Sequence, residues 1–182
     1  MGKSELKTKQ IAIDAMMAAM CALLGYIALD FGTMKITVEE LPVILTGLMY
    51  GPVDGMLVGA IGTLIYQILR YGFSVTTVLW ILPYIVAGQI AGLYAKKHGY
   101  YNSRGELIRI AFFTELAILV FNTLAIYVDS KLFGYYSVPY VWGALFTRAV
   151  IAAAKAVVIG IVLLPILKVM GKYTRNGKNK KK

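Results

Sequence analysis

Four polar side chains interrupt the apolar second half of the chain at a spacing that brings them together. Glu115 and Asn122 are seven residues apart, and so are Arg148 and Lys155. Seven residues make almost two helical turns, so each pair lies on one face of its helix. In two antiparallel neighbouring helices, Glu115 reaches the depth of Lys155. Because a buried charge needs a partner, we predict a structural ion pair between Glu115 and Lys155.

Arg148 is the residue that most directly suggests a ligand. Asn122 reaches its depth from the neighbouring helix, and no acidic residue does so. A guanidinium group binds both oxygens of a carboxylate through its planar fork, which predicts a cavity that holds an anionic or carbonyl-rich ligand. Snorkelling of the Arg148 side chain to the outer surface is the alternative.

Further polar and aromatic side chains converge on the same outer half of the membrane. Gln67 and Arg70 share a helix face, and so do Trp80 and Tyr84 in the next segment. An aromatic belt at the membrane interface is one explanation, and stacking on a flat heteroaromatic ligand is the other. We predict a pocket that is open to the outside. The predicted ligand-binding residues are Gln67, Arg70, Tyr71, Thr77, Trp80, Tyr84, Asn122 and Arg148.

Membrane-spanning helices must position these residues. The chain is 59% hydrophobic and 15% charged, whereas soluble domains carry about 25% charged residues. Residues 1–182 are predicted to form a single domain, an all-α integral membrane bundle of six helices. The second segment is too short to cross a bilayer about 30 Å thick. The predicted segments are Ile11–Leu29, Leu41–Tyr50, Gly55–Leu69, Val78–Ala95, Leu107–Tyr127 and Val141–Met170.

Lysine and arginine residues predict the orientation. With the N-terminus inside and six crossings, fourteen of them fall on the cytoplasmic side and three on the outer side. Loops rich in Lys and Arg stay cytoplasmic, so both termini are predicted to be cytoplasmic in a multi-pass plasma-membrane protein of prokaryotic type. Residues 1–9 form the N-terminus. Residues 172–182 form a basic tail, predicted to be disordered, that either lies near anionic headgroups or is merely solubilising.

Small residues recur at four-residue spacing, which lets helix backbones approach closely in lipid. Packing within the chain explains the glycines, which are Gly51, Gly55, Gly59, Gly62, Gly88 and Gly92. The alanines of the first segment leave two explanations open: packing within the chain, or a contact face for a partner membrane protein. These alanines are Ala15, Ala18, Ala19 and Ala22.

The sequence offers no set of residues for catalysis or for a metal. Its single histidine, His98, lies in a predicted cytoplasmic loop, and its single cysteine, Cys21, excludes an internal disulfide. No phosphate-binding loop of the GxxxxGK type occurs in the sequence. We therefore expect no catalytic residue, metal, cofactor or ATPase site, and expect the energy for transport to come from a partner or a gradient. The basic residues flank apolar spans, which indicates membrane topology and not nucleic-acid binding.

The stretch Met34–Gly59 carries a family resemblance. Its Leu41-Pro42 pair, and the Gly51-Pro52 turn followed by Gly55, resemble the second-helix region of S components of energy-coupling factor (ECF) transporters. The alanine pattern of the first segment is similar to the alanine motif of that family. The plan of six helices with a short second helix also fits. The resemblance covers about residues 11–97 by sequence and the rest by layout.

This resemblance implies the vitamin-binding subunit of an uptake system. Such a subunit binds a vitamin from outside, docks on a coupling membrane subunit carried by two ATPase subunits, topples in the membrane and releases the vitamin inside. The loop Asp30–Val38 would act as a lid, and the alanine motif would contact the coupling subunit. The folate-type branch is the most similar, with Arg148 suited to a carboxylate and Trp80 to a flat ring. The riboflavin branch shares the Leu-Pro and Gly-Pro features.

Two other functions stay open. A self-sufficient secondary transporter or channel is one, although the chain is short and lacks the two similar halves of inverted-repeat transporters. A membrane enzyme or an assembly factor is the other, and the missing catalytic set argues against an enzyme.

Overall fold

The structure is a computed structural model that describes residues 3–30, 35–98 and 103–179. Within these ranges the chain forms six α-helices, two short strands and one π-helical turn. The helices are α1 (Lys3–Tyr26), α2 (Glu40–Tyr50), α3 (Pro52–Tyr71), α4 (Thr77–His98), α5 (Arg104–Leu132) and α6 (Leu145–Asn179). The strands are β1 (Leu29–Asp30) and β2 (Lys35–Ile36), and the π-helical turn is Pro139–Gly143.

Among the described residues, five helical spans are long and apolar enough to cross a membrane. They are Thr8–Tyr26, Pro52–Tyr71, Thr77–His98, Arg104–Leu132 and Pro139–Val169. Helix α2 is the exception, with 11 residues. The prediction of an all-α bundle of six helices with a short second helix is confirmed. The orientation of the termini stays a prediction.

Helix α5 begins before the predicted Leu107 because of its N-terminal cap. The Ser103 hydroxyl accepts a hydrogen bond from the backbone N–H of Glu106, at 3.4 Å. The Glu106 carboxylate in turn accepts from the backbone N–H of Ser103, at 3.0 Å. This reciprocal capping box satisfies two backbone donors that a helix start leaves open. The helix therefore starts at Arg104 and keeps Glu115 well inside it.

Helices α2, α3 and α4 approach one another at glycines. A Cβ at Gly88 would overlap the backbone of Gly55, and a Cβ at Gly47 would lie 2.8 Å from the carbonyl oxygen of Gly88. A side chain at these positions would therefore push the helices apart. The predicted packing of Gly55 and Gly88 within the chain is confirmed.

The connection between α1 and α2 leads into the interior of the bundle. Strand β1 pairs antiparallel with β2, with Leu29 opposite Ile36. Residues 31–34, which belong to the predicted lid Asp30–Val38, lie outside the described residues. After β2, the side chains of Thr37 and Glu39 are buried. Thr37 of the predicted lid and Glu39, which directly follows it, thus contribute polar groups to the interior.

In α4, α5 and α6 the hydrophobic core occupies one part of the helix and the cavity occupies the other. In α4 the core takes Ala91 and Ala95, in α5 it takes Leu107 and Ile110, and in α6 it takes Leu163. The other halves of α4 and α5 and the first turns of α6 face a cavity. Helix α6 continues to Asn179, into the tail predicted to be disordered, and residues 180–182 lie outside the described residues.

Candidate ligand-binding site

A cavity of about 610 Å³ lies among helices α3, α4, α5 and α6. Its lining residues recur at intervals of three and four residues, which is the spacing of one helix face. Helix α5 contributes Glu115, Ile118, Asn122 and Asp129, and α6 contributes Arg148, Ile151 and Lys155. The cavity therefore has two ends, an inner end at Glu115 and Lys155 and an outer end at Asp129 and Arg148.

An ion-pair network closes the inner end. Lys155 Nζ lies 3.3 Å from Glu115 Oε1 and 2.7 Å from Glu40 Oε1. The side chains of Glu40 and Glu115 are only 0% and 3% exposed. Two buried carboxylates that share one ammonium group hold α2, α5 and α6 together. The sequence predicts the contact with Glu115 but not the contact with Glu40.

Glu39 connects the predicted lid to helix α4 at the cavity wall. Its carboxylate accepts hydrogen bonds from the hydroxyl groups of Tyr84 and Thr37, the latter at 3.2 Å. A Cβ at Gly25 would overlap this carboxylate, so α1 can approach it only because Gly25 has no side chain. Glu39 thereby links Thr37 of the predicted lid, Tyr84 of α4 and Gly25 of α1.

The outer end contains hydroxyl groups and an incompletely satisfied guanidinium. Asp129 accepts hydrogen bonds from the hydroxyl groups of Thr76 and Tyr135. Partial burial, together with the hydrogen bond to Asp129, raises the pKa of Tyr135 further above its usual range. Arg148 Nη2 donates to the carbonyl oxygen of Tyr140 at 3.2 Å. Arg148 Nη1 is buried and has no hydrogen-bond partner among the described residues.

Seven of the eight predicted ligand-binding residues line the cavity. They are Gln67, Tyr71, Thr77, Trp80, Tyr84, Asn122 and Arg148. The structure does not bring Arg70 into this group. Its Nη1 donates to the carbonyl oxygen of Tyr26, at 2.9 Å, where α1 ends. A cation at a helix C-terminus also suits the helix dipole. The binding roles of all eight residues stay predictions.

Several residues of the site are not among the predicted ones. They are Thr37, Glu39, Glu40, Thr76, Asp129, Tyr135 and Tyr140. The acidic residues Glu39, Glu40 and Asp129 could have been predicted from the sequence, because an ionisable residue next to an apolar segment is a candidate for function. Tyr135 and Tyr140 lie in a loop that the sequence places on the outer side, but Tyr is common at membrane interfaces in any case, so this signal does not single them out.

Comparison with known proteins decides the family. The family described as "ECF transporter, substrate-specific component" matches residues 9–167. The chain belongs to this family of S components. It is therefore a substrate-binding component of a transporter and a multi-pass membrane protein.

One solved structure shows how far the fold of this S component is shared. It is described as "Crystal structure at 2.1 A of the S-component for biotin from an ECF-type ABC transporter". It aligns with a TM-score of 0.65 and 16% sequence identity, over 92% of this chain and 95% of that chain. At this identity the likeness shows the fold alone. No curated protein gives a significant match.

The four alanines of α1 in this S component divide into two pairs. Ala18 and Ala22 are 3% and 7% exposed, and the carbonyl oxygen of Ala18 would lie 2.8 Å from a Cβ at Gly62. Ala15 and Ala19 are exposed on the surface of the bundle. Packing within the chain therefore accounts for the first pair. The predicted contact with a coupling subunit stays a prediction, and the exposed pair is the one available for it.

Proposed function

We propose that this S component binds a vitamin in the cavity and delivers it to a coupling membrane subunit that works with two ATPase subunits. The observation that carries the proposal is Arg148. Its Nη1 is buried, has no hydrogen-bond partner among the described residues, and belongs to a side chain that lines the cavity. An unsatisfied buried donor is costly, and an anionic ligand would supply its acceptor.

Folate is the vitamin that best suits the two ends of the cavity. A volume of about 610 Å³ falls within the range of about 300–1,000 Å³ of small-molecule sites. Folate has a flat ring system for Trp80 and carboxylates for Arg148. Riboflavin, the second candidate, has a flat ring but no carboxylate. Biotin, the ligand in the description of the solved S component, has a carboxylate but no aromatic ring.

The proposed orientation opens the outer end of the cavity to the outside of the cell. Fourteen lysines and arginines on the cytoplasmic side against three on the outer side support it. Both termini are then cytoplasmic, in the plasma membrane of a prokaryotic type of cell. ATP would be used by the partner subunits only, and the absence of a metal and of a cofactor in this subunit stays a prediction.

Mass spectrometry of the small molecules released from the purified, detergent-solubilised protein tests the proposal. We expect one vitamin in stoichiometric amount, and saturable binding when it is returned to the ligand-free protein. No released vitamin and no binding across a vitamin panel would contradict the proposed function. Ion-driven uptake by this chain alone in proteoliposomes would support a self-sufficient transporter instead.

The substitution Arg148→Ala tests the anion site. A hydrogen bond to a charged group contributes about 1.5–3 kcal/mol, so we expect affinity to fall about ten- to a hundredfold in titration calorimetry. Arg70→Ala is the matched control, because Arg70 binds the carbonyl oxygen of Tyr26 and does not line the cavity. Equal affinities of the two variants, both folded, would remove Arg148 from the site.

A further inference from the structure

The inner end of the cavity presents more hydrogen-bond acceptors than the protein itself satisfies. Among the described residues, Lys155 is the single cation that Glu40 and Glu115 share. Glu115 lines the cavity, whereas Glu40 lies behind it and does not. An ionised carboxylate accepts hydrogen bonds and has no donor. The side of Glu115 that faces the cavity therefore suits a ligand group that donates a hydrogen bond.

Gln67 is a second polar side chain on the cavity wall. Its side chain lines the cavity, is only 8% exposed, and makes no hydrogen bond to any described residue. A side-chain amide both donates and accepts hydrogen bonds. A ligand in the cavity can therefore find both a donor and an acceptor at Gln67.

The space between the two ends suits a flat ring. Trp80 and Tyr84 line it from α4, and Ile118 and Ile151 line it from the opposite helices. Aromatic side chains stack on flat rings, and apolar side chains exclude water from their faces. Arg148 and Lys155 are seven residues apart on α6, which separates the two ends by about 10 Å at 1.5 Å per residue.

We propose that Glu115, assisted by Gln67, selects the ring end of the ligand by its N–H donors. The substrate class is then an amino-substituted heteroaromatic ring that carries its anionic group about 10 Å away, at Arg148. This inference rests on the proposed function and assigns the inner end of the same site. A ring that presents carbonyl oxygens at this edge would direct lone pairs at the carboxylate of Glu115 and would be rejected.

A pair of probe compounds that differ at one ring substituent tests the inference. They are 2-amino-4-oxopteridine-6-carboxylate and its 2,4-dioxo counterpart, in which a carbonyl acceptor replaces the amine donor. Titration of the purified S component should give about tenfold or tighter binding of the amino compound. The test needs no substitution, so it does not depend on whether a variant folds.

Glu115→Gln and Glu40→Gln provide the matched comparison. Each removes one carboxylate from Lys155, but only Glu115 lines the cavity. We expect the preference for the amino compound to fall below about threefold in Glu115→Gln and to stay near tenfold in Glu40→Gln.

Three results would overturn the inference while leaving the proposed function intact. The first is equal affinity of the unaltered protein for the two probes, and the second is a preference that survives Glu115→Gln. The third is binding of neither probe by a protein that binds its released vitamin. Failure to bind any vitamin is a different result, because it would remove the proposed function itself.

Discussion

Lys155 and Arg148 are two cations on one face of α6, and their surroundings differ in kind. Lys155 Nζ has carboxylate oxygens at 2.7 and 3.3 Å, supplied by two other helices. Arg148 has one backbone carbonyl oxygen at 3.2 Å and no ion-pair partner among the described residues. The chain thus neutralises one cation itself and leaves the other incompletely satisfied.

This difference separates a structural charge from a binding charge. A buried cation with its own carboxylates holds helices together, and removing it exposes those carboxylates to an apolar surrounding. Removing a cation that has unused donors should change the stability of the ligand-free protein little. The ligand, however, would lose a hydrogen-bond partner. Substitution of Lys155 should therefore lower stability more than affinity. Substitution of Arg148 should lower affinity more than stability.

The largest effect on stability is expected from Lys155→Met. The substitution leaves Glu40 and Glu115 buried without their cation, which should lower the free energy of unfolding by about 3–5 kcal/mol. Chemical unfolding in mixed micelles measures it, with Arg148→Ala as the comparator, expected within about 1 kcal/mol of the unaltered protein. Two variants of equal stability would contradict the structural role of Lys155.

A smaller effect is expected when all three charges of the inner network are removed together. The combination of Lys155→Met, Glu40→Gln and Glu115→Gln leaves no buried charge without a partner, and neutral replacement of a buried ion network is often tolerated. We expect the triple variant to regain stability to within about 2 kcal/mol of the unaltered protein in the same unfolding assay. No recovery would mean that Lys155 acts through the packing of its aliphatic stem.

The smallest effect on stability is expected away from both cations, on the exposed face of α1. Ala19→Trp should change the free energy of unfolding by about 0.5 kcal/mol or less and spare ligand affinity. It should nevertheless stop uptake by the complete transporter, because a bulky ring prevents close approach of a partner helix. Val120→Trp is the control, since Val120 is 58% exposed on α5. Normal uptake with Ala19→Trp would argue against this docking face.

The two partners of Lys155 show what sequence reasoning can reach. Glu115 is predictable because α5 and α6 are long, adjacent helices, and counting residues along them gives depth in the membrane. Glu40 is not predictable in this way. It starts a helix of 11 residues, and the depth of so short a helix depends on its packing, which Gly47 sets against Gly88.

Arg70 and Gln67 show a second limit. They are one helical turn apart and both polar, so the sequence places them together. Their positions in the structure differ. The Arg70 guanidinium donates a hydrogen bond to the carbonyl oxygen of Tyr26 at the C-terminus of α1, whereas Gln67 lines the cavity.

The sequence by itself determined the membrane bundle, the short second helix and the polar faces of α5 and α6. Hydropathy, charge and helical period are local properties, and they can be read along one segment at a time. The tertiary structure alone decided which polar groups meet. Glu40 forms an ion pair with Lys155, Tyr84 donates a hydrogen bond to Glu39, and Arg70 donates one to the C-terminus of α1. These contacts depend on how far each helix is rotated and how deep it lies, and non-local packing at glycines and core residues sets both.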